Sequence, residues 1–303
     1  MFIMNNQQKL VLIGGGHSHA IALRLFGINP LPNVRLTLIS EAPDTPYSGM
    51  LPGHIAGFYT HDECHINLRS LTQFAQAELM IDRVIGLDLE NNKVICADRQ
   101  PVYFDFLSID IGSTPATISV PGAAEYAIAV KPVPKLLQKW NQLIRLISNQ
   151  PEKPICFVKC ESGLKVEFDY LFWVTQASAP DWPKISGLAT DATGFILVND
   201  NLQSVSHPHV FAAGDIATIV NNPCPKAGVF AVRQGKPLFN NLRQILPGKP
   251  LQPYKPQKRY LSLIGTGDGS AIASWGSLGW ESPLLWYGKD WIDRRFMAKF
   301  HNL

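Results

Sequence analysis

The stretch KLVLIGGGHSHAIALRLF, residues 9 to 26, decides the fold of this 303-residue chain. It begins with the apolar run KLVLI, which is typical of a buried strand and leads into three consecutive glycines. The next residues predict a helix over His19–Phe26, closed by Gly27 and by Pro30, and then a second apolar strand over Val34–Ser40. A strand, a helix and a strand in this order form a βαβ unit, which predicts a parallel sheet.

The glycine-rich turn of this unit is typical of dinucleotide-binding proteins. Glycine lets the backbone approach a pyrophosphate closely, and the helix N-terminus supplies N–H donors. Glu41 ends the second strand 22 positions after His19 (41 − 19), close to the spacing of about 20 for an acid that binds the ribose. His19 replaces the glycine that would pack helix against strand, so we expect a slight outward shift of the helix. A plain strand–turn–helix is the alternative.

The remaining pattern predicts alternating strands and helices. Helices are predicted over Leu68–Ala77, Val133–Ser148, Val229–Leu246 and Pro283–Phe300. Strands are predicted over Met80–Leu89, Lys93–Ala97, Phe104–Ile111, Ile155–Val158, Lys165–Tyr170, Leu171–Thr175, His209–Ala213, Tyr260–Ile264 and Ser270–Trp275. The segment Pro43–Tyr59 is predicted to be irregular.

Composition argues against several classes of protein. The chain has 27 Lys and Arg residues against 24 Asp and Glu residues, and this small excess without a basic run argues against nucleic-acid binding. No apolar run reaches the roughly 18 residues that span a membrane, and the polar first residues indicate no secretory signal. The five scattered cysteines imply no disulphide framework. We therefore expect a cytoplasmic protein.

Three further segments suggest parts of a binding site. VFAAGD, residues 210–215, is an apolar strand that ends in Gly-Asp, whose carboxylate can bind sugar hydroxyls; an N-cap is the alternative. IDIGSTP, residues 109–115, is a strand stopped by a turn. PYSGMLPG, residues 46–53, is a rigid, small-residue segment that can lie against a flat aromatic cofactor, or an ordinary loop.

These motifs, in this order, resemble the pyridine nucleotide-disulphide oxidoreductase superfamily of flavoproteins. GGGHSH, PYSGMLPG, FWVTQASAP, VFAAGDIA, KAGVFAVRQGKPL and LSLIGTGDGSAIASWG are most similar to the NADH dehydrogenase-like domain fused ahead of selenide, water dikinase. Type II NADH dehydrogenases and sulfide:quinone reductases are more distant. The resemblance covers Lys9 to about Gln150 and resumes from Leu164 to Phe300.

The resemblance implies an α/β fold with a three-layer Rossmann-type FAD-binding domain. Two chain segments, residues 1–150 and 169–247, are expected to build this domain. A short remnant at residues 151–168 would stand between them, and residues 248–303 would form a small α+β cap.

The resemblance also implies FAD as the cofactor. Its expected contacts are Gly14, Gly16, His17 and Ser18 to the pyrophosphate; Glu41 to the adenosine ribose; Val84 to the adenine; Leu51 and Pro52 to the isoalloxazine; Gly112 near the FAD; Gly214 and Asp215 to the ribityl chain or pyrophosphate; and Lys226 to Val229 at the flavin O2 side. No side chain is predicted to be a catalytic acid, base or nucleophile.

Two departures from the family pattern affect the chemistry. Ser48-Gly49-Met50-Leu51 stands where disulphide reductases carry a redox cysteine pair, so electrons are expected to leave the flavin directly. The family inserts a complete NAD(P)H domain in the middle of the chain, but residues 150–169 offer 20 residues (169 − 150 + 1), whereas one βαβ unit needs roughly 30. We expect a strand or hairpin there and no dedicated nicotinamide site; the electron donor and acceptor stay open.

Other residues allow more than one interpretation. His54, His61, Cys64 and His65 fit no strong zinc template, so packing or surface roles are favoured and no metal is expected. Cys156 and Cys160 are interpreted as structural. Arg233 and Gln234 are placed on a solvated or salt-bridged face, with contact to an electron acceptor as the alternative.

The last predicted helix is amphipathic and basic. It is expected to dock on its own sheet or on a partner subunit, and a membrane surface is the less favoured alternative. Its residues are Leu284, Leu285, Trp286, Lys289, Trp291, Ile292, Arg294, Arg295, Phe296 and Lys299.

Two alternatives to the oxidoreductase interpretation stay open. One is a shortened protein that keeps flavin as a structural or regulatory ligand and acts through partners, and the other is an artificially shortened form of a longer enzyme. Under each interpretation a homo-oligomer stays open.

Overall fold

The computed structural model describes residues 7–115, 120–131, 133–147, 156–174 and 177–303. These residues form two compact units. The larger unit contains the chain up to Gly112 and from Asp181 onward, and the smaller unit contains Ser113–Pro180.

The described residues contain both helices and runs of consecutive strands. The helices are α1 (His17–Ile28), α2 (Leu51–Ile55), α3 (His61–Cys64), α4 (Leu68–Phe74), α5 (Ala123–Tyr126), α6 (Val133–Ile147), α7 (Trp182–Ile185), α8 (Gly228–Ile245) and α9 (Pro283–His301). The strands are β1 (Gln8–Ile13), β2 (Val34–Ser40), β3 (Asp44–Pro46), β4 (His65–Asn67), β5 (Glu78–Ile81), β6 (Val84–Asp88), β7 (Lys93–Cys96), β8 (Val102–Tyr103), β9 (Phe106–Ile109), β10 (Thr114–Pro115), β11 (Ala127–Ala129), β12 (Cys156–Lys159), β13 (Lys165–Phe168), β14 (Leu171–Trp173), β15 (Ala177–Ser178), β16 (Ile196–Val198), β17 (Val210–Ala212), β18 (Ala217–Ile219), β19 (Ser262–Gly265), β20 (Ala271–Trp275) and β21 (Leu278–Ser282).

A five-stranded parallel sheet organises the larger unit. Its strand order is β17-β9-β1-β2-β5, and every neighbouring pair is parallel. Strand β17 pairs with β9 in the register Val210↔Leu107, so two distant chain segments complete one sheet. Strands β1, β2, β9 and β17 are largely apolar and buried, as expected for a parallel sheet covered by helices, whereas the edge strand β5 is partly exposed. The predicted Rossmann-type α/β fold is confirmed.

Helices α1 and α8 pack closely on each other. The Ser18 hydroxyl donates to the Ala231 carbonyl at 2.7 Å, and Gly235 lies against Ile21, where an added Cβ atom would approach the Ile21 side chain to 2.6 Å. The Arg243 guanidinium donates to the Asn29 carbonyl at 2.9 Å. These contacts run along both helices, and the bond from Ser18 to Ala231 holds the N-terminal turn of α1 beside the first turn of α8.

Replacing a helical glycine by alanine should change the free energy of unfolding in opposite directions at Gly235 in α8 and Gly288 in α9. Gly235→Ala in α8 should lower the free energy of unfolding by about 1–3 kcal/mol, because the added methyl group overlaps Ile21. Gly288→Ala in α9 should raise it by about 0.5–1 kcal/mol, because nothing lies within 4 Å of the new Cβ atom and alanine is the better helix former. Urea denaturation of both variants checks this. Equal effects would contradict the packing role of Gly235.

Helix α1 does not end where the sequence predicts. It continues through Gly27 to Ile28, because Gly27 packs against α4: an added Cβ atom would lie 2.2 Å from the Phe74 ring. The glycine therefore serves close packing between helices, and the prediction that it stops α1 is wrong.

The predicted strand Met80–Leu89 is also wrong in part, because the chain forms two strands there. Strand β5 joins the parallel sheet, and β6 turns into an antiparallel sheet with β7 and β8. The backbone N–H of Asp82 donates to the Ser40 carbonyl at 2.9 Å and closes the parallel pairing with β2. The segment predicted to be irregular, Pro43–Tyr59, contains the short elements β3 and α2.

The smaller unit contains the predicted hairpin within a larger arrangement. Strands β12 and β13 pair antiparallel, with Val158 opposite Val166, as predicted; Ile155 and Thr175 lie outside the described residues. Strands β11 and β14 pair parallel, with α6 between them in the chain, and the sequence did not predict this pair. The unit spans 68 residues (180 − 113 + 1), more than the 20 counted from the sequence. The predicted domain boundaries at 150, 168 and 247 stay a prediction.

The C-terminal part of the larger unit is a three-stranded antiparallel sheet covered by α9. Its order is β19-β20-β21, and β21 follows a hairpin at Gly276 (φ 63°) that the sequence did not reveal. The inner face of α9 docks on this sheet, as predicted, whereas Leu284, Tyr287 and Trp291 on its outer face are exposed. The membrane-surface alternative stays a prediction.

None of the helices in the described residues is long and apolar enough to pass through a lipid bilayer.

Candidate functional site

The glycine-rich turn lies at the carboxyl edge of the parallel sheet, between β1 and α1. Gly14 has φ 92°, and its N–H donates to the Ile39 carbonyl of β2 at 2.8 Å. The Gly16 N–H donates to the Asp110 carbonyl at 3.1 Å. A Cβ atom at Gly14 would lie 2.3 Å from the same carbonyl oxygen. Glycine is therefore required for the turn to lie flat against the end of β9.

The N-termini of α1 and α8 lie side by side, joined by the bond from Ser18 to Ala231. Their N-cap residues, Gly16 and Ala227, provide no side-chain cap, and neither first turn contains an acidic residue. The positive ends of two helix dipoles thus meet at one place, which favours an anion such as a pyrophosphate.

Asp110 connects the first glycine turn with the Gly-Asp motif. Its carboxylate is 2% exposed and accepts the backbone N–H of His19 at 3.0 Å. A Cβ atom at Gly16 or at Gly214 would lie 2.3 Å from Asp110 Oδ1. Two glycines that are 198 positions apart (214 − 16) therefore contact one carboxylate. Sequence reasoning placed Asp110 in a strand stopped by a turn and gave it no role; an acidic residue after the apolar run FLSI was the available signal.

Burial and neighbouring charge perturb this carboxyl group. Removal from water raises the pKa of Asp110 to about 7, and Asp215 adds to the increase, while the N–H groups of His19 and Ser18 oppose it. A buried carboxyl group with a pKa near neutrality at a proposed cofactor site is a functional candidate.

The Gly-Asp motif forms a 3₁₀ turn, Gly214–Ile216, held by α8. Gly214 has φ 70°, and its N–H donates to Gln234 Oε1 at 2.6 Å. The N-cap of this turn is Ala213 and has no side-chain cap, so the alternative that Asp215 is an N-cap is wrong. Gln234 is buried, so its predicted place on a solvated face is wrong; it fixes the turn that carries Asp215. Arg233 beside it is exposed.

The residues expected around the adenosine follow two neighbouring strands. Glu41 is exposed directly after β2, and Val84 is buried at the start of β6, just beyond the end of β5. Gly112 has φ 72° with nothing within 4 Å of an added Cβ atom. Glu41 and Gly112 therefore lie beyond the carboxyl ends of sheet strands β2 and β9, and Val84 beyond that of β5.

The segment expected to face the flavin ring lies near the start of α8. A Cβ atom at Gly228 would lie 3.3 Å from the Ser48 hydroxyl. Leu51 is buried in α2 and Pro52 is exposed. Val229 lies in the first turn of α8.

Lys226 precedes α8, and its ammonium group binds within the protein. It donates to the Ala217 carbonyl at 2.5 Å and to the Thr218 hydroxyl at 2.9 Å, and burial lowers its pKa. Any contribution of Lys226 at the flavin would come from its backbone in this arrangement.

His19 is an integral part of the sheet edge. Its ring is fully buried; Nδ1 donates to the Gly14 carbonyl at 2.7 Å, and Nε2 accepts from the Ser108 hydroxyl at 2.8 Å. Burial lowers its pKa to about 4, so the ring is neutral at physiological pH. The larger side chain expected to displace α1 is hydrogen-bonded at both nitrogens between β1 and β9.

A buried ion pair of helix α9 supports the segment predicted to face the flavin. The Lys289 ammonium of α9 pairs with Asp293 and donates to the Gly49 carbonyl at 2.6 Å. The Tyr47 hydroxyl also bonds Asp293, and burial raises the pKa of Tyr47. The predicted basic surface of this helix is thus wrong for Lys289, which is 4% exposed. The i, i+4 spacing of Lys289 and Asp293 was the available signal.

Within the described residues, the histidines and cysteines form no group that could hold a metal ion. The rings of His61 and His65 stack with their centroids 3.7 Å apart, and burial raises the pKa of Cys64 to about 11. In the part of the chain that the structure describes, no group of three or more His, Cys, Asp or Glu side chains is placed to hold a metal ion. Cys64, Cys96, Cys160 and Cys224 are free thiols; the Cys156 side chain lies outside the described residues.

Comparison with known proteins identifies relatives. Residues 138–235 match the family described as pyridine nucleotide-disulphide oxidoreductase. The chain is 27% identical over 147 residues to the NADH dehydrogenase-like protein YutJ of Bacillus subtilis. That match covers 47% of this chain and 39% of the relative. It is 29% identical over 130 residues to ferroptosis suppressor protein 1 of Xenopus tropicalis. That match covers 43% of this chain and 31% of the relative. The matches thus span less than half of the curated relatives' length.

Solved structures share the fold over most of the chain. The sulfide:quinone oxidoreductase of Aquifex aeolicus superimposes with a TM-score of 0.78 at 15% identity, covering 97% of this chain and 92% of that one. The NADH:rubredoxin oxidoreductase of Clostridium acetobutylicum gives a TM-score of 0.64 at 18% identity, covering 88% and 81%. This family and its structural neighbours are FAD-binding oxidoreductases, in agreement with the expected cofactor. Sequence and fold together support a relationship of the chain to the pyridine nucleotide-disulphide oxidoreductase superfamily.

Proposed function

We propose that the larger unit binds FAD and that the protein is a flavin-dependent oxidoreductase of the NADH dehydrogenase-like type. One observation carries the proposal: Asp110 brings Gly16 and Gly214 together at the paired N-termini of α1 and α8. Each motif alone is a weak signal, whereas two separate motifs at one sheet edge form the binding crevice expected of this fold.

The residues fit the parts of FAD by their chemistry. The adjacent helix N-termini suit the pyrophosphate, the exposed carboxylate of Glu41 suits ribose hydroxyls, and Asp215 suits the ribityl chain. Ser48, in the segment predicted to face the flavin, lies close to Gly228, and this supports the proposal because the dipole of α8 would favour negative charge on a ring bound there.

FAD, when bound, supplies the electron-transfer chemistry, and the chain supplies binding, orientation and electrostatics. The segment at Ser48–Leu51 contains no cysteine, and the buried Cys64 thiol stays protonated. Direct transfer between the flavin and an external acceptor, without a dithiol relay, is therefore part of the proposal. The closer relationship to the domain fused ahead of selenide, water dikinase is also a proposal.

A specific observation favours a second candidate, a flavin-binding protein without turnover. The turn that follows β11 reads Val130-Lys131-Pro132, and the hairpin turn after β12 reads Cys160-Glu161-Ser162-Gly163. Neither is the glycine-rich turn that a second dinucleotide site needs. Under this candidate the flavin is a structural or regulatory ligand.

Cofactor binding is tested by the spectrum and FAD content of the purified protein and by titration with FAD. We expect one FAD per chain. Asp215→Asn should weaken binding at least tenfold, since a hydrogen bond to a charged group contributes about 1.5–3 kcal/mol. Glu90→Gln, in the exposed turn between β6 and β7, is the control and should leave the affinity unchanged. A colourless protein that takes up no FAD would refute the proposal.

Turnover separates the two candidates. The FAD-loaded protein is mixed with NADH or NADPH and a quinone or dye, and oxidation of the coenzyme is followed. Catalytic turnover supports the oxidoreductase. Full FAD occupancy without turnover, together with an unchanged flavin spectrum, supports the non-catalytic candidate.

A further inference from the structure

Asp110 is a buried carboxyl group at the helix end where the proposed pyrophosphate would also bind. Its carboxylate accepts the His19 N–H at 3.0 Å in the first turn of α1, the helix end that also faces the proposed pyrophosphate. It lies within contact distance of Gly16 and Gly214, so it is inside the proposed binding crevice and shielded from solvent.

In the described residues no cationic side chain pairs with the Asp110 carboxylate, whose bonds come from the backbone N–H groups of His19 and Ser18. On α1, the neutral His19 ring bonds Gly14 and Ser108, and His17 packs edge-on against Tyr47 at 5.4 Å. Asp215 faces Asp110 from the Gly214 turn and is also acidic. From α8, Gln234 is neutral and Arg233 points to solvent; Lys226 is bound to Ala217 and Thr218. At the end of β1 beside Asp110, Leu12 and Ile13 are apolar.

We propose that FAD binding is coupled to the uptake of a proton by the Asp110 carboxyl group. This inference rests on the proposed FAD site. An ionised Asp110 and a pyrophosphate would compete for the same helix N-terminus. Their negative charges would also repel each other strongly, because little water lies between them to screen the charges. The protonated carboxyl group removes this repulsion, so the neutral form of Asp110 is the form that binds FAD tightly.

The sign of the pH dependence follows from linkage. Because free Asp110 titrates near neutrality and bound FAD disfavours its ionised form further, the complex holds one more proton than the separate partners above about pH 7. The Kd for FAD should be constant at low pH and rise by up to tenfold per pH unit above neutrality, the limit for a single proton. Asp110 acts here as a positioning residue for the cofactor.

The experiment titrates FAD into the flavin-free full chain between pH 6.0 and 8.5 at constant ionic strength, with quenching of flavin fluorescence as the readout. We expect the Kd of the wild type to rise at least tenfold across this range. Asp110→Asn should give a flat profile near the low-pH wild-type value. Asp105→Asn is the matched control, because Asp105 is exposed and accepts the Lys9 N–H at 2.6 Å at the opposite edge of the sheet; it should keep the wild-type slope.

A second variant distinguishes Asp110 from His17, whose protonation would also make FAD bind more tightly at low pH. Protonated His17 would also favour an anion, so His17→Asn is expected to retain the slope above pH 7 if Asp110 is responsible. Loss of the slope in this variant, or its persistence in Asp110→Asn, would overturn the inference.

Calorimetry of the wild type in two buffers of different ionisation enthalpy gives an independent readout if Asp110→Asn does not fold. Uptake of close to one proton per FAD at pH 8 is the expected result, and no uptake would overturn the inference. A chain that binds no FAD at any pH would instead refute the proposed function, so the two failures are distinguishable.

Discussion

Gly14→Ala is expected to unfold the cofactor site and to weaken FAD binding more than a hundredfold. The residue has φ 92°, which costs an alanine about 1–2 kcal/mol. The new Cβ atom would also lie 2.3 Å from the Asp110 carbonyl oxygen. Because that oxygen belongs to backbone at the end of β9, the overlap is relieved only by moving the strand or the turn. We expect a total loss of more than 3 kcal/mol in the free energy of unfolding.

Gly57→Ala is the matched control for this variant. Gly57 has a similar φ of 86°, but nothing lies within 4 Å of an added Cβ atom. It should therefore show only the conformational cost of about 1–2 kcal/mol and keep FAD affinity. Urea denaturation of the flavin-free proteins and FAD titration measure both quantities. Equal losses of stability in the two variants would show that contact with β9 is unimportant.

The sequence predicted the parallel sheet well because its strands and first turn are determined locally. The apolar run before Gly14 and the run Val34–Ser40 are both strands in the structure, and each is bounded by turn residues. The joining of Val210–Ala212 to β9 followed from the family resemblance. Periodicity alone does not tell which strands pair.

Residues whose role depends on distant neighbours were missed. Asp110 appears in the sequence as the last polar residue of a strand, and only the fold places it between Gly16 and Gly214. Gln234 looks solvated in a helix between Arg233 and Gly235, yet it receives the Gly214 N–H. The second unit was underestimated because β11 and β14 are short strands, of three residues each, whose pairing requires a tertiary contact.

Lys289→Met is expected to have the second of the two largest effects. Lys289 is buried, pairs with Asp293 and donates to the Gly49 carbonyl. Its removal leaves a buried carboxylate without a counter-ion and a carbonyl without a donor, which costs about 3–5 kcal/mol. Arg35→Met removes one partner of the exposed pair with Glu78 and should cost at most about 1 kcal/mol. Urea denaturation at pH 7 compares the two variants.

The double variant Lys289→Met/Asp293→Leu should recover most of the stability lost in Lys289→Met, because two apolar side chains can replace a buried pair. The single variant should also depend on pH in a defined direction. Burial already raises the pKa of Asp293, and loss of the lysine raises it further. A group with a raised folded-state pKa binds a proton more strongly in the folded protein, so stability falls as pH rises.

Lys289→Met should therefore lose more stability, relative to the wild type, at pH 8 than at pH 5, and the double variant should not show this difference. A pH-independent loss in the single variant would mean that the unpaired carboxylate reaches solvent. In that case the main loss in Lys289→Met would be the bond to the Gly49 carbonyl and not the uncompensated charge of Asp293.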